Sequence, residues 1–447
     1  MRNRCVQSYY HSIFHITVLC ANIAIGGGSG TSLRSSKSRY QRHLHANNSI
    51  ADRISNTDLL TTSQALLVIR ETNDQSDSTK YSGSGTTAVA TTLCNSPSTN
   101  WIRQQVRNIS DEDLTNFFEW KVYTLPFVYK LLVEEKGMYD IEYIGADGKY
   151  TQEINSILDQ AQSFWYKSGV NDDIRVLGAH GSDLADLHNK LIPTLEALFG
   201  TTSYEDNEAE DGDYTIMDHA MDIQDLILRL PGGYDNPLLT FNAFATDEGE
   251  YELNDHPSII IGDGYFEFQE SIGFEMEGPE YALTHEHAHH LQFALDTTTS
   301  SDERQSARRQ ELMADALSAY FLAHERGMDM SSNEIDNLRQ IAYSAGDCET
   351  NNDGHHGTPR QRRCATAWGV SLSQAKDGDD YDSLDLVDLE NRFNDWYENV
   401  EYLDESCQHH VMMVSSAALI SCHQTLRYIL QSAVAFTLSF GVGIVII

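Results

Sequence analysis

Basic residues are scarce in this sequence. Its 447 residues include 30 Lys and Arg against 67 Asp and Glu, which gives a formal net charge of −37 at pH 7. A field of this sign repels nucleic-acid phosphates and anionic membrane surfaces. We therefore predict that the chain has no nucleic-acid partner. The acidic runs at 205–213 and 377–382 lack the spacing of a calcium loop, and we interpret them as solvated carboxylates.

Cysteine is also infrequent, with 7 residues in the chain. If both ends are removed as described below, an even set is left: Cys94, Cys348, Cys364 and Cys407. The favoured bridge joins Cys348 to Cys364, because both flank one short, loop-rich segment. Spacing alone does not fix the connectivity. Paired cysteines suit a protein that is exported from the cytosol.

The first 25 residues have the layout of a secretory signal peptide. Arg2 and Arg4 precede an apolar stretch at 13–25, and small residues follow. An uncleaved anchor and a misassigned start are the alternatives. Two glycosylation triplets, which begin at Asn47 and Asn108, would be usable on this route.

The other end of the chain is predicted to be an anchor signal or a hydrophobic tail, over residues 406–447. Its last residues, 429–447, are apolar or small and carry no charge. Small residues at 415–417 and a mixed spacer precede them, as in a glycolipid (GPI) anchor signal. A transmembrane tail is the alternative, because the run is long enough to cross a bilayer. We therefore expect a secreted or cell-surface glycoprotein.

Between these ends, three segments differ in composition. Residues 26–110 are rich in Ser, Thr, Asn and Gly, which predicts a linker or propeptide. Residues 111–170 are expected to form an N-terminal α/β segment, and residues 171–405 the catalytic domain.

Periodicity and turn residues predict a mixed architecture of the α+β class. We expect a mixed sheet that packs on two metal-bearing helices, with the strand at 258–268 near the cleft. If that strand is the sheet edge, an extended substrate could pair with it. The predicted strands lie at 117–133, 238–245 and 258–268; a hairpin turns at 146–148; and helices lie at 152–166, 183–198, 279–295 and 304–326.

The predicted helix at 279–295 contains the pattern His-Glu-x-x-His, as His285-Glu286-His287-Ala288-His289. Imidazoles four residues apart lie on one helix face, so His285 and His289 can bind one Zn²⁺ ion. Glu286 can then take a proton from the attacking water. The alternative is a surface helix rich in histidine, and His287 and His290 are interpreted as such residues or as groups behind the ligands.

A third ligand is available on the next predicted helix. Glu311 and Asp315 lie one turn apart there. Glu311 can complete the metal site, and Asp315 can accept a hydrogen bond from the outer nitrogen of His285. The alternative is a pair of solvated acids on an amphipathic helix.

Three motifs in order resemble those of the neutral zinc metallopeptidases of the gluzincin clan. They are His285-Glu286-x-x-His289-His290-x-Gln292, Glu311-Leu312-x-Ala314-Asp315 and His356-Gly357-Thr358-x-x-Gln361-Arg362. The resemblance covers about residues 183–368. The chain departs from the family in its long N-terminal extension and in Ala316-Leu317, where a Cys-Phe pair is expected.

This resemblance implies a zincin-like fold, one zinc ion and hydrolysis of protein or peptide substrates. It assigns His285, His289 and Glu311 as ligands, Glu286 as the general base and Asp315 as the group behind His285. His356 either donates to the developing oxyanion or orders its loop.

Two other functions fit the same motifs. One is a surface binding protein on this scaffold that has lost turnover, and the filled catalytic positions argue against it. The other is a zinc hydrolase of a non-peptide amide or ester, which motif spacing does not separate from a peptidase, because an activated water attacks any carbonyl.

Overall fold

A computed structural model describes residues 96–134, 142–168, 170, 173–199, 215–247, 256–295, 303–347, 355–374 and 385–398. The predicted signal peptide, most of the predicted linker and the predicted C-terminal anchor signal lie outside these residues. Within the described ranges, no helix has the length and apolar character needed to cross a membrane.

Helices make up most of the described fold. In chain order they are α1 (Pro97–Val106), α2 (Asp111–Glu119), α3 (Leu125–Val128), α4 (Thr151–Trp165), α5 (Ile192–Phe199), α6 (Ile216–Arg229), α7 (Asp263–Ser271), α8 (Glu277–Leu295), α9 (Glu303–Ala323), α10 (Ser332–Ala345), α11 (Pro359–Ser373) and α12 (Leu386–Tyr397). Three strands accompany them, β1 (Arg175–Ala179), β2 (Ala243–Thr246) and β3 (Ser258–Gly262). The predicted mixture of helix and sheet is confirmed.

The strands form one mixed sheet in the order β1-β3-β2. β1 pairs with β3 in parallel, with Arg175 opposite Ser258, and β2 pairs with β3 in antiparallel, with Ala243 opposite Ile261. The idea that residues 258–268 form an edge strand is therefore wrong, because β3 lies between two neighbours. Its sequence Ser-Ile-Ile-Ile-Gly is buried along its whole length, as is typical of a strand covered on both faces.

The sheet separates two hydrophobic cores. Successive side chains of a strand point to opposite faces. Accordingly, Ile259 and Ile261 belong to the cluster that contains α4 and α8–α12, whereas Ile260 belongs to the cluster that contains α1–α3, α5 and α6. Both predicted metal-bearing helices therefore pack on the same side of the sheet.

The predicted strands at 117–133 are wrong, because this segment is helical. Ser110 caps α2 by accepting a hydrogen bond from the Asp113 N–H at 3.1 Å, and three acidic residues follow in the first turn, where the helix dipole favours them. Pro126 lies at the start of α3, where a missing N–H costs nothing. These local signals outweigh the β propensity of the aromatic residues.

The predicted hairpin at 146–148 is also wrong. Asp147 and Gly148 do adopt positive φ, at 55° and 72°, as expected for this turn. No described strand flanks the turn, however, and α4 begins directly afterwards at Thr151.

Three of the four predicted helices are confirmed. Those at 152–166, 279–295 and 304–326 correspond to α4, α8 and α9. The helix predicted at 183–198 is interrupted at Asp186, whose ψ of 93° is extended, so that only α5 is regular α-helix. The strand predicted at 238–245 begins later, because a 3₁₀ turn occupies Pro237–Leu239.

Close packing of α11 on α9 brings the third sequence motif towards the metal-bearing helices. A Cβ atom on Gly369 of α11 would overlap the backbone carbonyl of Ala316 on α9. Only glycine allows this approach. A capping box between Thr358 and Gln361 fixes the start of α11. Cys364, in the same helix, is disulfide-bonded; its predicted partner Cys348 lies outside the described residues, so that pairing stays a prediction.

We expect Gly369→Ala to lower the free energy of unfolding by about 1–3 kcal/mol, because the added methyl group must push α11 away from Ala316. In an unconstrained helix the same change would stabilise by roughly 0.5–1 kcal/mol. Urea unfolding measures the difference. Ser371→Ala, at an exposed position of the same helix, is the control and should change stability little. A stabilised Gly369→Ala variant would contradict the close contact.

Candidate metal centre

Two adjacent helices bring three predicted ligands together. His285 and His289 lie one turn apart on α8, and Glu311 lies on α9. One donor atom from each residue lies within 4.8 Å of the other two. Nε2 of His285 is 3.2 Å from Oε2 of Glu311, and Nε2 of His289 is 3.4 Å from Oε1. This group can hold a metal ion.

The chemistry of the donors fits a divalent transition metal. Two imidazoles and one carboxylate are a donor set that suits zinc in a catalytic site, where a fourth position stays open. His285 and Glu311 are buried, while 16% of the His289 side chain is exposed. Solvent therefore reaches the group on the side of His289.

Asp315 lies behind His285, as the sequence predicts. It is fully buried, with 0% exposure, and its Oδ1 is 3.0 Å from Nδ1 of His285. The two atoms are close enough for an ion pair, although their angles are not those of a hydrogen bond. Tyr281, one turn before His285 on α8, donates its phenolic hydrogen to the same carboxylate oxygen.

Arg362 is the residue whose role the sequence did not reveal. Its guanidinium binds Asp315 through two hydrogen bonds, Nε to Oδ2 at 2.5 Å and Nη2 to Oδ1 at 2.9 Å. Its Nη1 donates to Oε2 of Glu311 at 3.1 Å. Arg362 is only 4% exposed, so these two carboxylates are its counter-charges. The third motif ends in this arginine, but its spacing gave no sign that the side chain points at α9.

Burial and charge act in opposite directions on the ligand pKa values. Burial favours the neutral acid at Glu311, but His289, His285 and His356 hold the pKa of this carboxyl well below its usual range. Burial likewise opposes the imidazolium of His285, yet interactions with Asp315 and Glu311 raise its pKa to about 10. The pKa of His289 is also raised, because the carboxylate of Glu311 outweighs burial. Without a metal, the histidines retain protons that a metal must displace.

Glu286 lies beside the ligands in a buried position. It is 3% exposed, and its charge contributes to the raised pKa of His289. The predicted general base therefore lies close enough to His289 for its charge to act on that imidazole.

The surface-helix alternative for α8 is wrong. His287 and His290 are 1% and 4% exposed. Burial lowers the pKa of His287 to about 4 and that of His290 to about 3, so both imidazoles are neutral near pH 7.

A loop held by Asp347 places His356 near Glu311. The Asp347 carboxylate accepts the backbone N–H of His356 at 2.7 Å and lies 2.5 Å from Nδ1 of His355. His356 is buried and contributes positive charge that lowers the pKa of Glu311. These contacts order the loop, as one of the two predicted roles requires, and donation by His356 to an oxyanion stays a prediction.

Comparisons with family models, with curated proteins and with solved structures gave no match for this chain. The resemblance to neutral zinc metallopeptidases therefore depends on the three motifs alone.

Metal binding should release protons. A ligand imidazole must be neutral, whereas His285, with its pKa raised to about 10, is protonated at pH 7.5 in the metal-free protein. We expect at least one proton to leave per metal ion, and the apparent affinity to rise from pH 7 towards pH 10. Calorimetric titration with Zn²⁺ in two buffers of different ionisation enthalpy counts these protons. Equal heats in the two buffers would contradict the raised pKa.

The Arg362–Asp315 pair should be strongly coupled. Arg362→Met leaves a buried carboxylate without its counter-charge and should cost the metal-free protein about 3–5 kcal/mol of stability. Adding Asp315→Asn removes that charge, so the double variant should be more stable than the sum of the single effects predicts. Urea unfolding with a chelator present measures all three variants.

The matched control is Arg339→Met. Arg339 pairs with the exposed carboxylate of Asp336 at 3.1 Å on the surface of α10. Such a pair contributes at most about 1 kcal/mol. If Arg362→Met costs no more than this control, the guanidinium is not an essential counter-charge.

Proposed function

We propose that this protein is a zinc-dependent hydrolase of peptide bonds. The observation that carries the proposal is the convergence of His285, His289 and Glu311 from two helices, with their donor atoms within 4.8 Å of one another and Glu286 beside them. A buried arginine and a buried aspartate support the group from behind. Scattered surface histidines would not require this support.

Zinc, when bound by these three residues, would polarise the scissile carbonyl and acidify a water molecule. The carboxylate of Glu286 would accept the proton of that water and later pass it to the leaving amine. His285 and His289 would bind the ion through Nε2, because their Nδ1 atoms face acceptors on the outer side. His356 would donate a hydrogen bond to the substrate oxygen as negative charge develops there.

The surrounding architecture also supports a zincin-like fold. α8 lies against the mixed sheet, and α9 packs along α8 on the same side. The antiparallel strand β2 also contacts α8. Many unrelated folds combine a mixed sheet with helices. The zincin-like fold is therefore proposed from the position of α8 and α9 on one face of the sheet.

The sequence also supports a proposal about substrate and location. We propose that the chain acts on proteins or peptides outside the cytosol, as a secreted or surface-anchored glycoprotein. The exposed Asn108 triplet is accessible for glycosylation. The segments that would direct export and anchoring lie outside the described residues.

A non-peptide amidase or esterase is the second candidate, since the same residues would serve it. A peptide library derived from a proteome, incubated with and without a zinc chelator, separates the two. Cleavage that the chelator abolishes supports the peptidase, whereas metal-dependent hydrolysis of simple esters without any peptide cleavage supports the second candidate.

Glu286→Gln should lower kcat for peptide cleavage by about 100- to 10,000-fold, because the amide cannot accept the proton of water. Zinc affinity should change little, since Glu286 is not one of the three ligands. The matched control is Glu280→Gln on the same helix, whose pKa burial already raises to about 7. Mass spectrometry of the digested library gives the rates. If Glu286→Gln cleaves as fast as the control, Glu286 is not the general base of the reaction.

A further inference from the structure

The two ligand histidines differ in what holds their outer nitrogens. Nδ1 of His285 faces the carboxylate of Asp315 at 3.0 Å. Nδ1 of His289 instead lies 3.1 Å from Oε1 of Gln292, a neutral amide three residues later on α8. Gln292 is 4% exposed, so water does not compete for this contact.

A second contact fixes the orientation of the Gln292 amide. Its Nε2 donates to the backbone carbonyl of Gln310 at 2.7 Å. A carbonyl oxygen only accepts hydrogen bonds, so the NH₂ group must point at Gln310 and the amide oxygen must point at His289. Oε1 only accepts as well, so Nδ1 of His289 must carry the hydrogen in this pair.

The tautomer of His289 follows from this arrangement. A neutral imidazole carries one hydrogen, and when that hydrogen is on Nδ1, Nε2 presents a free lone pair. Nε2 is the atom that lies 3.4 Å from Oε1 of Glu311, on the side of the ligand group. Gln292 therefore selects the form of His289 that can bind a metal.

The same side chain also fixes the other helix. Gln310 directly precedes the ligand Glu311, so the hydrogen bond to its carbonyl anchors α9 next to the third donor. One amide thus spans α8 and α9 and contacts an imidazole ligand on one side and the backbone beside a carboxylate ligand on the other.

We infer that Gln292 is a positioning residue of the metal centre, which holds His289 in its Nδ1–H tautomer through Oε1. The inference rests on the proposed metal site but not on peptide hydrolysis. The partners of the two outer nitrogens differ in charge. The carboxylate of Asp315 beside His285 is balanced by Arg362. The Gln292 amide beside His289 adds no charge to a site that already contains Glu286, Glu311 and Asp315.

Two variants separate the acceptor role of Gln292 from its contact with Gln310. Gln292→Met has a similar shape and removes both hydrogen bonds. Gln292→Glu restores an oxygen acceptor for His289 but no longer donates to the Gln310 carbonyl. Both variants should lower the thermal midpoint. Only the methionine variant should lose zinc affinity, by about 10- to 100-fold, as is usual when a partner behind a ligand histidine is removed.

Competition between the purified protein and a chromophoric zinc chelator measures the affinities. The control is Gln269→Met on α7, which replaces another fully buried glutamine, one whose side-chain amide has no hydrogen-bond partner among the described residues. Its zinc affinity should equal that of the unmodified protein. Recovery of zinc affinity in Gln292→Glu, while its thermal midpoint stays low, would show that the acceptor and not helix packing is responsible.

The inference is overturned if Gln292→Met binds zinc as tightly as the control, or if the Glu and Met variants are equally weak. An unmodified protein that binds no zinc would overturn both this inference and the proposed function. An unmodified protein that binds zinc but cleaves no peptide would overturn the proposed function alone, because the comparison of affinities does not depend on turnover.

Discussion

The candidate metal centre depends on the neutralisation of two carboxylates that are buried one turn apart on the same helix. Glu311 is 8% exposed and Asp315 is 0% exposed. Ionised acids in such positions are costly unless each has a counter-charge and hydrogen bonds. Arg362 supplies both, since one guanidinium contacts the two acids, and His285 lies between them. The charges of Arg362 and His285 thereby allow both carboxylates to stay ionised in the buried donor group.

This requirement explains why three separate motifs belong to one site. α8 contributes the imidazoles, Tyr281 and Gln292; α9 contributes the acids; and α11 contributes the arginine. Each element has contacts to at least one of the others that involve polar atoms as well as apolar packing. The sheet supports this assembly from one face through Ile259 and Ile261, while a separate core fills its other face.

The sequence predicted the parts of this site that follow from helical spacing. His285 with His289, and Glu311 with Asp315, lie four residues apart, and α8 and α9 formed where periodicity placed them. Contacts between helices do not follow from spacing, so Arg362 and Gln292 received no role, although both stand in the quoted motifs. The strand errors have another cause: aromatic and β-branched residues at 117–133 indicated sheet, whereas Ser110 and the acids after it favoured a helix. The position of β3 at the centre of the sheet depends on its pairing with β1, more than 75 residues earlier in the chain, as the partners Arg175 and Ser258 show.

α11 crosses α9 closely at Gly369 and Ala316. The position of the α11 backbone therefore also sets the position of the Arg362 charge. Arg362 lies two turns before Gly369 on the same rigid rod, so a slide of α11 by one helical turn, about 5.4 Å, would carry the guanidinium away from both acids at once. Loosening at this crossing would therefore leave an excess of negative charge around the candidate ligands, in addition to a loss of apolar contact. A change in helix packing would in this way change the net charge around the candidate ligands.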